Sequence, residues 1–282
     1  MIIWIASYPK SGNTWLRALI SSYYYSESGD FNFNLLESIE SFPKKKFFLE
    51  YSKHFKSPTA TTYYWDKAQD KINANGKLNI LKTHNSLCNI DGNNFADKKN
   101  TLGCIYIIRD PRNVLTSIKN HYELSYQDSL SFMLNKKKFI YDRNTVNDFS
   151  NIQFIGSWKD HYSSWANTKM FKVKLIKYED LLQNTFKVFK ETVDFINQIS
   201  KSKTSFDPIK AKNSVNSTSF SKLKYKELKE GFSESVYSNI QNKKITFFNL
   251  GPKNNWAKII PKKFHDKINL EFKDDLKFAN YK

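Results

Sequence analysis

Ile2-Ile3-Trp4-Ile5-Ala6-Ser7-Tyr8-Pro9-Lys10-Ser11-Gly12-Asn13-Thr14-Trp15-Leu16-Arg17 opens the chain and reads as a short apolar strand, a tight turn and the start of a helix. A helix N-terminus exposes unpaired N–H groups and the positive end of the helix dipole, so it attracts anions. Gly12 lets the backbone come close to a phosphate, and Lys10 adds a point charge. Ser11, Asn13 and Thr14 add side-chain hydrogen bonds. The stretch therefore predicts a phosphate-like group at the carboxyl end of the first strand. It is not a Walker A loop, which needs a leading glycine and a lysine after the second glycine. Here Lys10 precedes Gly12, and residues 1–11 contain no glycine. The plain alternative is a strand–turn–helix corner with Lys10 in solvent.

The pattern continues along the chain. Strand-like apolar runs occur at 2–7, 78–82, 104–108 and 173–178. They are short, rich in β-branched or aromatic residues and mostly free of charge, as buried parallel strands are. Helical stretches are read at 14–25, 111–124 and 181–200, with Asp110 as N-cap and Pro111 in the first turn of the second. Further helix is read at 61–74, 153–167, 220–231 and 261–276, and loops at 26–60, 135–150 and 200–218. This alternation predicts an α/β fold: a P-loop-like, doubly wound parallel sheet flanked by helices. Residues 1–282 would form a single domain, with ligands at the strands' carboxyl ends.

Composition narrows the function. The chain has 282 residues and a net charge of +18. Such charge suits nucleic acid, a polyanionic small molecule drawn into a cleft, or simple drift toward Lys and Asn. The lysines are dispersed, and there is no zinc-finger pattern, RNP-type motif or aromatic–basic stripe, so nucleic acid is not the expected partner. No apolar run reaches the length of a membrane span. The first strand begins at Ile2, which leaves no room for a cleavable leader, and a cytoplasmic protein is expected. Cys88 and Cys104 make no disulfide framework, and no metal site is read from their spacing.

Two more strand ends carry candidate chemistry. The second runs Ile80-Leu81-Lys82-Thr83-His84, placing a histidine where doubly wound proteins build sites, although a lone turn histidine is commonly incidental. The third runs Ile107-Ile108-Arg109-Asp110-Pro111-Arg112, in which Arg109–Asp110 is equally readable as a structural ion pair and Arg112 as surface.

Tyr8-Pro9-Lys10-Ser11-Gly12-x-Thr14-Trp15 resembles the phosphosulfate-binding loop of sulfotransferases that use 3′-phosphoadenosine 5′-phosphosulfate (PAPS). Lys82-x-His84 is similar to the family's Lys-x-His, which implies that His84 is the general base, with Lys10 and Lys82 as the other catalytic groups. Arg109 and Ser117, eight residues apart, resemble the pair that holds the 3′-phosphate. In that family the serine also restrains the loop lysine, which would be Lys10. Gly156-Ser157-Trp158 with His161 and Trp165 is similar to a family helix, whose spacing reads as core packing and gives His161 no catalytic role. Tyr178 in Tyr178-Glu179-Asp180, and Thr218 and Phe220 in Thr218-Ser219-Phe220, resemble nucleotide contacts, with Trp15 on the adenine's other face.

The last signature departs from the family. Where Arg-Lys-Gly-x-x-Gly-x-Trp is usual, the chain reads Asn249-Leu250-Gly251-Pro252-Lys253-Asn254-Asn255-Trp256. Gly251 and Trp256 match, while the two cations are replaced, and Lys253 is the nearest candidate to make up for them. The resemblance implies sulfuryl transfer from PAPS, as co-substrate and without a metal, to a hydroxyl or amine of a small-molecule, glycan or lipid acceptor. The rivals are a P-loop kinase of a small alcohol, with Asp110 as metal ligand, and a catalytically silent nucleotide- or polyanion-binding protein.

Overall fold

The computed structural model describes residues 1–141, 148–238 and 242–281. Strands β1 (Ile2–Ala6), β2 (Asn79–Thr83), β3 (Thr101–Ile108) and β4 (Lys172–Lys177) form a parallel sheet in the order β2–β1–β3–β4. Alternate residues of the strands face opposite sides. Ile3, Ile5, Ile80, Ile105, Ile107 and Ile176 pack on one side, against helices α1 (Asn13–Tyr25) and, further along the chain, Thr185–Ser200. Trp4, Ala6, Leu81, Cys104, Tyr106 and Ile108 pack on the other, against residues of Pro111–Tyr122 and Trp158–Ala166. Both faces are covered, which explains why the strands read as continuous apolar runs rather than alternating ones. This is the doubly wound α/β sheet expected.

The remaining helices follow in order: α2 (Trp65–Asn73), α3 (Pro111–Tyr122), α4 (Tyr126–Leu134), α5 (Trp158–Ala166), α6 (Tyr178–Gln183), α7 (Thr185–Ser200), α8 (Pro208–Ser217), α9 (Phe220–Glu230), α10 (Trp256–Ile259), α11 (His265–Glu271) and α12 (Lys273–Phe278). Asp110 caps α3 by accepting from the Arg112 amide, with Pro111 in its first turn. Four expectations are corrected. The helix read at 261–276 is two short helices, His265–Glu271 and Lys273–Phe278, that meet at the non-helical backbone of Phe272. The helix read at 181–200 is two helices broken at Asn184, whose backbone is non-helical. Gln153 and Phe154 pair with Ile140 and Phe139 as a small ribbon, and α5 starts only at Trp158, capped by Ser157. The loop read at 200–218 contains α8, capped by Asp207.

In register, Ala6 lies beside Thr83 on one side and Tyr106 on the other. The chain moves from β1 to β2 on one flank, then to β3 on the other. That reversal opens a crevice between the carboxyl ends of β1 and β3, where doubly wound sheets bind ligands. Lys10, His84 and Arg109 all emerge there.

Candidate active site

A cavity of about 780 Å³ opens at these strand ends. Its first wall is the loop from β1 to α1. Gly12 is the N-cap of α1 at φ 105°, and no side chain caps the helix. The first-turn amides are thus left for a ligand. Gly12 is required for a second reason: a Cβ there would stand 2.6 Å from the Tyr178 ring. Lys10 also has a positive φ, 66°, which lifts its side chain over the loop. Its Nζ rests 3.7 Å above the Phe247 ring and 3.5 Å from His121 Nδ1. Burial lowers its pKa to about 7, against the raising effect of Glu234 and with the help of Lys82 and Arg109.

His84 follows β2 by one residue and lines the cavity. Its backbone amide donates to Gln153 Oε1 at 2.7 Å, and its Nδ1 lies 2.8 Å from the Ser7 carbonyl oxygen. A carbonyl only accepts, so Nδ1 carries the proton and Nε2 is left as the acceptor. Burial, and then the Lys82 charge, hold the pKa well below the ordinary histidine value. The ring is therefore neutral near pH 7, the state a base needs. His161 lies behind it: its Nε2 is 3.0 Å from the His84 carbonyl and its Nδ1 is 2.7 Å from the Tyr106 hydroxyl. Burial pushes His161 down to about 4. It fastens the turn that carries His84.

Arg109, Ser117, Tyr178, Trp15, Phe220 and Gly251 all line the cavity. Arg109 makes no ion pair among the described residues. Its guanidinium stacks 4.2 Å from the Tyr178 ring centre and donates to the Lys10 carbonyl at 3.3 Å. Arg109 Nε and Trp15 Nε1 are buried without a hydrogen-bond partner. Buried orphan donors at a cavity wall are what a bound nucleotide would satisfy. Gly251 has φ 52°, and a Cβ there would meet the Phe220 ring at 2.2 Å.

Several residues sit differently from expectation. Thr218 is fully buried, donates its hydroxyl to the Ser214 carbonyl at 2.7 Å and does not line the cavity. Ser11 is also buried away from it, and its hydroxyl is unpartnered. Asn13 lines the cavity, but its amide points back to the Ile5 carbonyl and the Ser7 hydroxyl, tying helix to strand. Ser117 donates to the Asn113 carbonyl and accepts from Asn254, while Lys10 rests on His121 and Phe247 rather than on Ser117. Arg112 is buried, not surface. It grips Asp110 through Nε and Nη2 at 2.8–3.2 Å, so the structural ion pair at this strand end is Asp110–Arg112. Lys253 is exposed and off the cavity. Lys222 lines it instead, and Lys224 donates to the Asn249 carbonyl at 3.1 Å.

Sequence reasoning missed Glu234, from the segment after α9. Its Oε1 accepts from Arg17 Nη1 at 2.6 Å and lies 3.4 Å from Lys82 Nζ, and its Oε2 accepts the Thr14 hydroxyl at 2.9 Å. Burial raises its pKa, but Lys82 and Arg17 outweigh that and hold the carboxyl far below its usual range. His121 was missed too. An acid in a polar loop and a histidine late in a helix carry no local signal, because what matters is how the fold brings them to the site.

A family model described as the sulfotransferase domain matches residues 2–277. The chain belongs to that family. Luciferin sulfotransferase of Photinus pyralis is 23% identical over 208 residues, which are 69% of this chain and 50% of that protein. The chain thus matches about half the length of that curated relative. Among solved structures, mouse sulfotransferase SULT7A1 complexed with PAP has 20% identity and a TM-score of 0.56, covering 98% of this chain and 84% of that one. Retinol dehydratase in complex with androsterone and inactive cofactor PAP has 14% identity and a TM-score of 0.60, covering 98% and 80%. Likeness at these identities speaks for the fold. Among the described residues no group of three or more His, Cys, Asp or Glu is placed to hold a metal ion, and no helix is long and apolar enough to cross a membrane.

Proposed function

We propose that this protein transfers a sulfuryl group from PAPS to a hydroxyl or amine of an acceptor and releases 3′,5′-ADP. One observation carries the reading: His84, a neutral imidazole with its acceptor nitrogen fixed by Ser7, stands in one cavity with Lys10, Lys82 and the uncapped start of α1. When bound, PAPS supplies the activated sulfuryl group on its 5′-phosphate. The Gly12–Trp15 helix start and Thr14 would hold that end of the nucleotide. Arg109 and Ser117 would take the 3′-phosphate, the guanidinium offering a planar fork that a lysine lacks. Lys222, which lines the same cavity, offers a further cation where the last signature has lost two. Trp15 and Phe220 would flank the adenine, with Tyr178 below.

The chemistry at the acceptor belongs to the protein's own groups. His84 Nε2 takes the acceptor's proton as its oxygen attacks. Lys10 and Lys82 neutralise charge that grows on the transferred and leaving oxygens, so positioning and electrostatics do most of the catalysis. Ile140 pairs with Gln153, which holds the His84 amide, and Phe247 carries Lys10. These apolar walls beside the base favour a small aromatic or aliphatic hydroxyl compound over a glycan.

The kinase reading loses its metal ligand, since Asp110 spends both carboxylate oxygens on Arg112 and the α3 cap. A thermal-shift series separates the donor, kinase and polyanion-binding readings, because a selective ligand raises the melting temperature by mass action, and transfer of label from PAPS to an acceptor separates the enzyme from a silent nucleotide binder. The largest rise is expected with 3′,5′-ADP. A larger rise with ATP–Mg²⁺ supports the kinase, and a rise only with short nucleic acids supports the polyanion binder.

A further inference from the structure

We propose that Glu234 sets the affinity and selectivity of the donor site: its carboxylate fills the seat of the donor's 5′-anion, and the donor binds by displacing it. The proposal rests on the PAPS reading above.

Thr14, Arg17 and Lys82 come from α1 and β2, the rigid elements at the strand ends. All three point hydrogen-bond donors at one carboxylate. The Thr14 hydroxyl cannot donate to Glu234 and to a phosphate at once, and the Lys82 charge is likewise shared. A second anion placed beside Glu234 in this half-buried site would be repelled strongly, because charges there are poorly screened. Either the nucleotide's 5′-end or the carboxylate occupies the seat.

The movable partner is Glu234. It lies on the segment linking α9 to the turn at Gly251, outside the sheet. Its neighbours hold that segment: Phe232 is buried in an aromatic cluster with Phe33 and Phe248, and Ser235 donates to Glu227 Oε1 at 2.8 Å. The Glu234 side chain can therefore swing out without unfolding the segment. Arg17 then keeps its bond to the Leu36 carbonyl at 3.0 Å. Charge works in the same direction. Glu234 bonds Arg17 and lies beside Lys82, and Lys10 senses it together with Glu227, so an arriving dianion balances these cations better than the single charge of Glu234 does.

This geometry makes a selectivity prediction. Adenosine 3′-monophosphate reaches Arg109 and Ser117 but brings nothing to the Thr14 seat, so Glu234 does not oppose it. Calorimetric titration of wild type and E234Q with 3′,5′-ADP and with adenosine 3′-monophosphate tests this. The variant should bind 3′,5′-ADP about tenfold tighter or more, the worth of a charge-assisted contact released, and adenosine 3′-monophosphate no differently. Equal gains for both ligands, no gain, or weaker 3′,5′-ADP binding would overturn the proposal while leaving the donor reading intact. Failure of both proteins to bind 3′,5′-ADP would bring down the donor reading and the proposal together. Should E234Q be too unstable to titrate, inorganic sulfate gives a second readout. Sulfate should raise the melting temperature of E234Q more than that of wild type, because a neutral amide yields the seat more readily than a carboxylate; equal rises overturn the proposal.

Discussion

At the scale of single residues, His84 is defined by the backbone around it. The Ser7 carbonyl accepts a hydrogen bond from Nδ1–H, Gln153 holds the amide and His161 holds the carbonyl, so the ring has one tautomer and one free nitrogen. His84→Ala should lower turnover by about 10²–10⁴-fold, the usual contribution of positioned proton transfer, and leave 3′,5′-ADP affinity nearly unchanged. The pH profile carries the same signature. As the proposed base His84 would act when neutral, and its pKa is depressed, so the acidic limb of kcat/KM should fall below the ordinary histidine range. Lys10, in the role proposed for it, would act when protonated, so in the free enzyme activity should decline as pH rises through about 7. His84→Ala should erase the acidic limb and keep the alkaline one. An alcohol of high pKa is the acceptor to use, since a partly ionised phenol needs little help. The candidates Lys10, His84 and Arg109 were legible because each ends an apolar strand, and ends of parallel strands converge. Arg112 was not. Its burial depends on Asn269 at 3.1 Å and on the Trp256 ring 4.3 Å away, residues that only the fold brings near.

At the scale of elements, the end of the cavity proposed to take the nucleotide depends on how the Gly251 turn meets α9. Phe220 begins that helix, and its ring fills the space where a Cβ of residue 251 would project. Gly251→Ala must therefore push the ring or the turn aside while holding a positive φ. Overpacking of this kind costs about 1–3 kcal/mol. The variant should melt at a lower temperature and bind 3′,5′-ADP more weakly, as thermal unfolding and calorimetric titration would report. Unchanged values for both would show that the contact is not made in solution. The elements themselves were read unevenly. The four strands were found because apolar runs of that length have few other uses. Helix α8 was passed over although Asp207-Pro208 is the same start signal as Asp110-Pro111, because its polar run Lys210–Ser217 lacks a wide apolar face. The break at Asn184 was invisible because apolar residues continue on both sides of it. Glu234 had no signal at all: its role depends on a loop returning from α9 to α1.

At the scale of the whole molecule, the parallel sheet gathers three strand ends into one crevice and the charge of the chain converges there. Lys10, Lys82, Arg109 and Lys222 line one cavity, so part of the +18 is spent on an anion rather than on general solubility. That charge could not be read from composition, since the lysines are dispersed in sequence and gather only in the fold. The central claim is that the cavity has a second phosphate seat, at Arg109 and Ser117, as a 3′-phosphorylated nucleotide requires. The most direct measurement is calorimetric titration with 3′,5′-ADP and 5′-AMP on wild type and Arg109→Ala. The account predicts much tighter binding of 3′,5′-ADP than of 5′-AMP, and a loss of about 1.5–3 kcal/mol in the variant for 3′,5′-ADP alone, the worth of hydrogen bonds to a charged group. Equal affinity for the two nucleotides in wild type would contradict it.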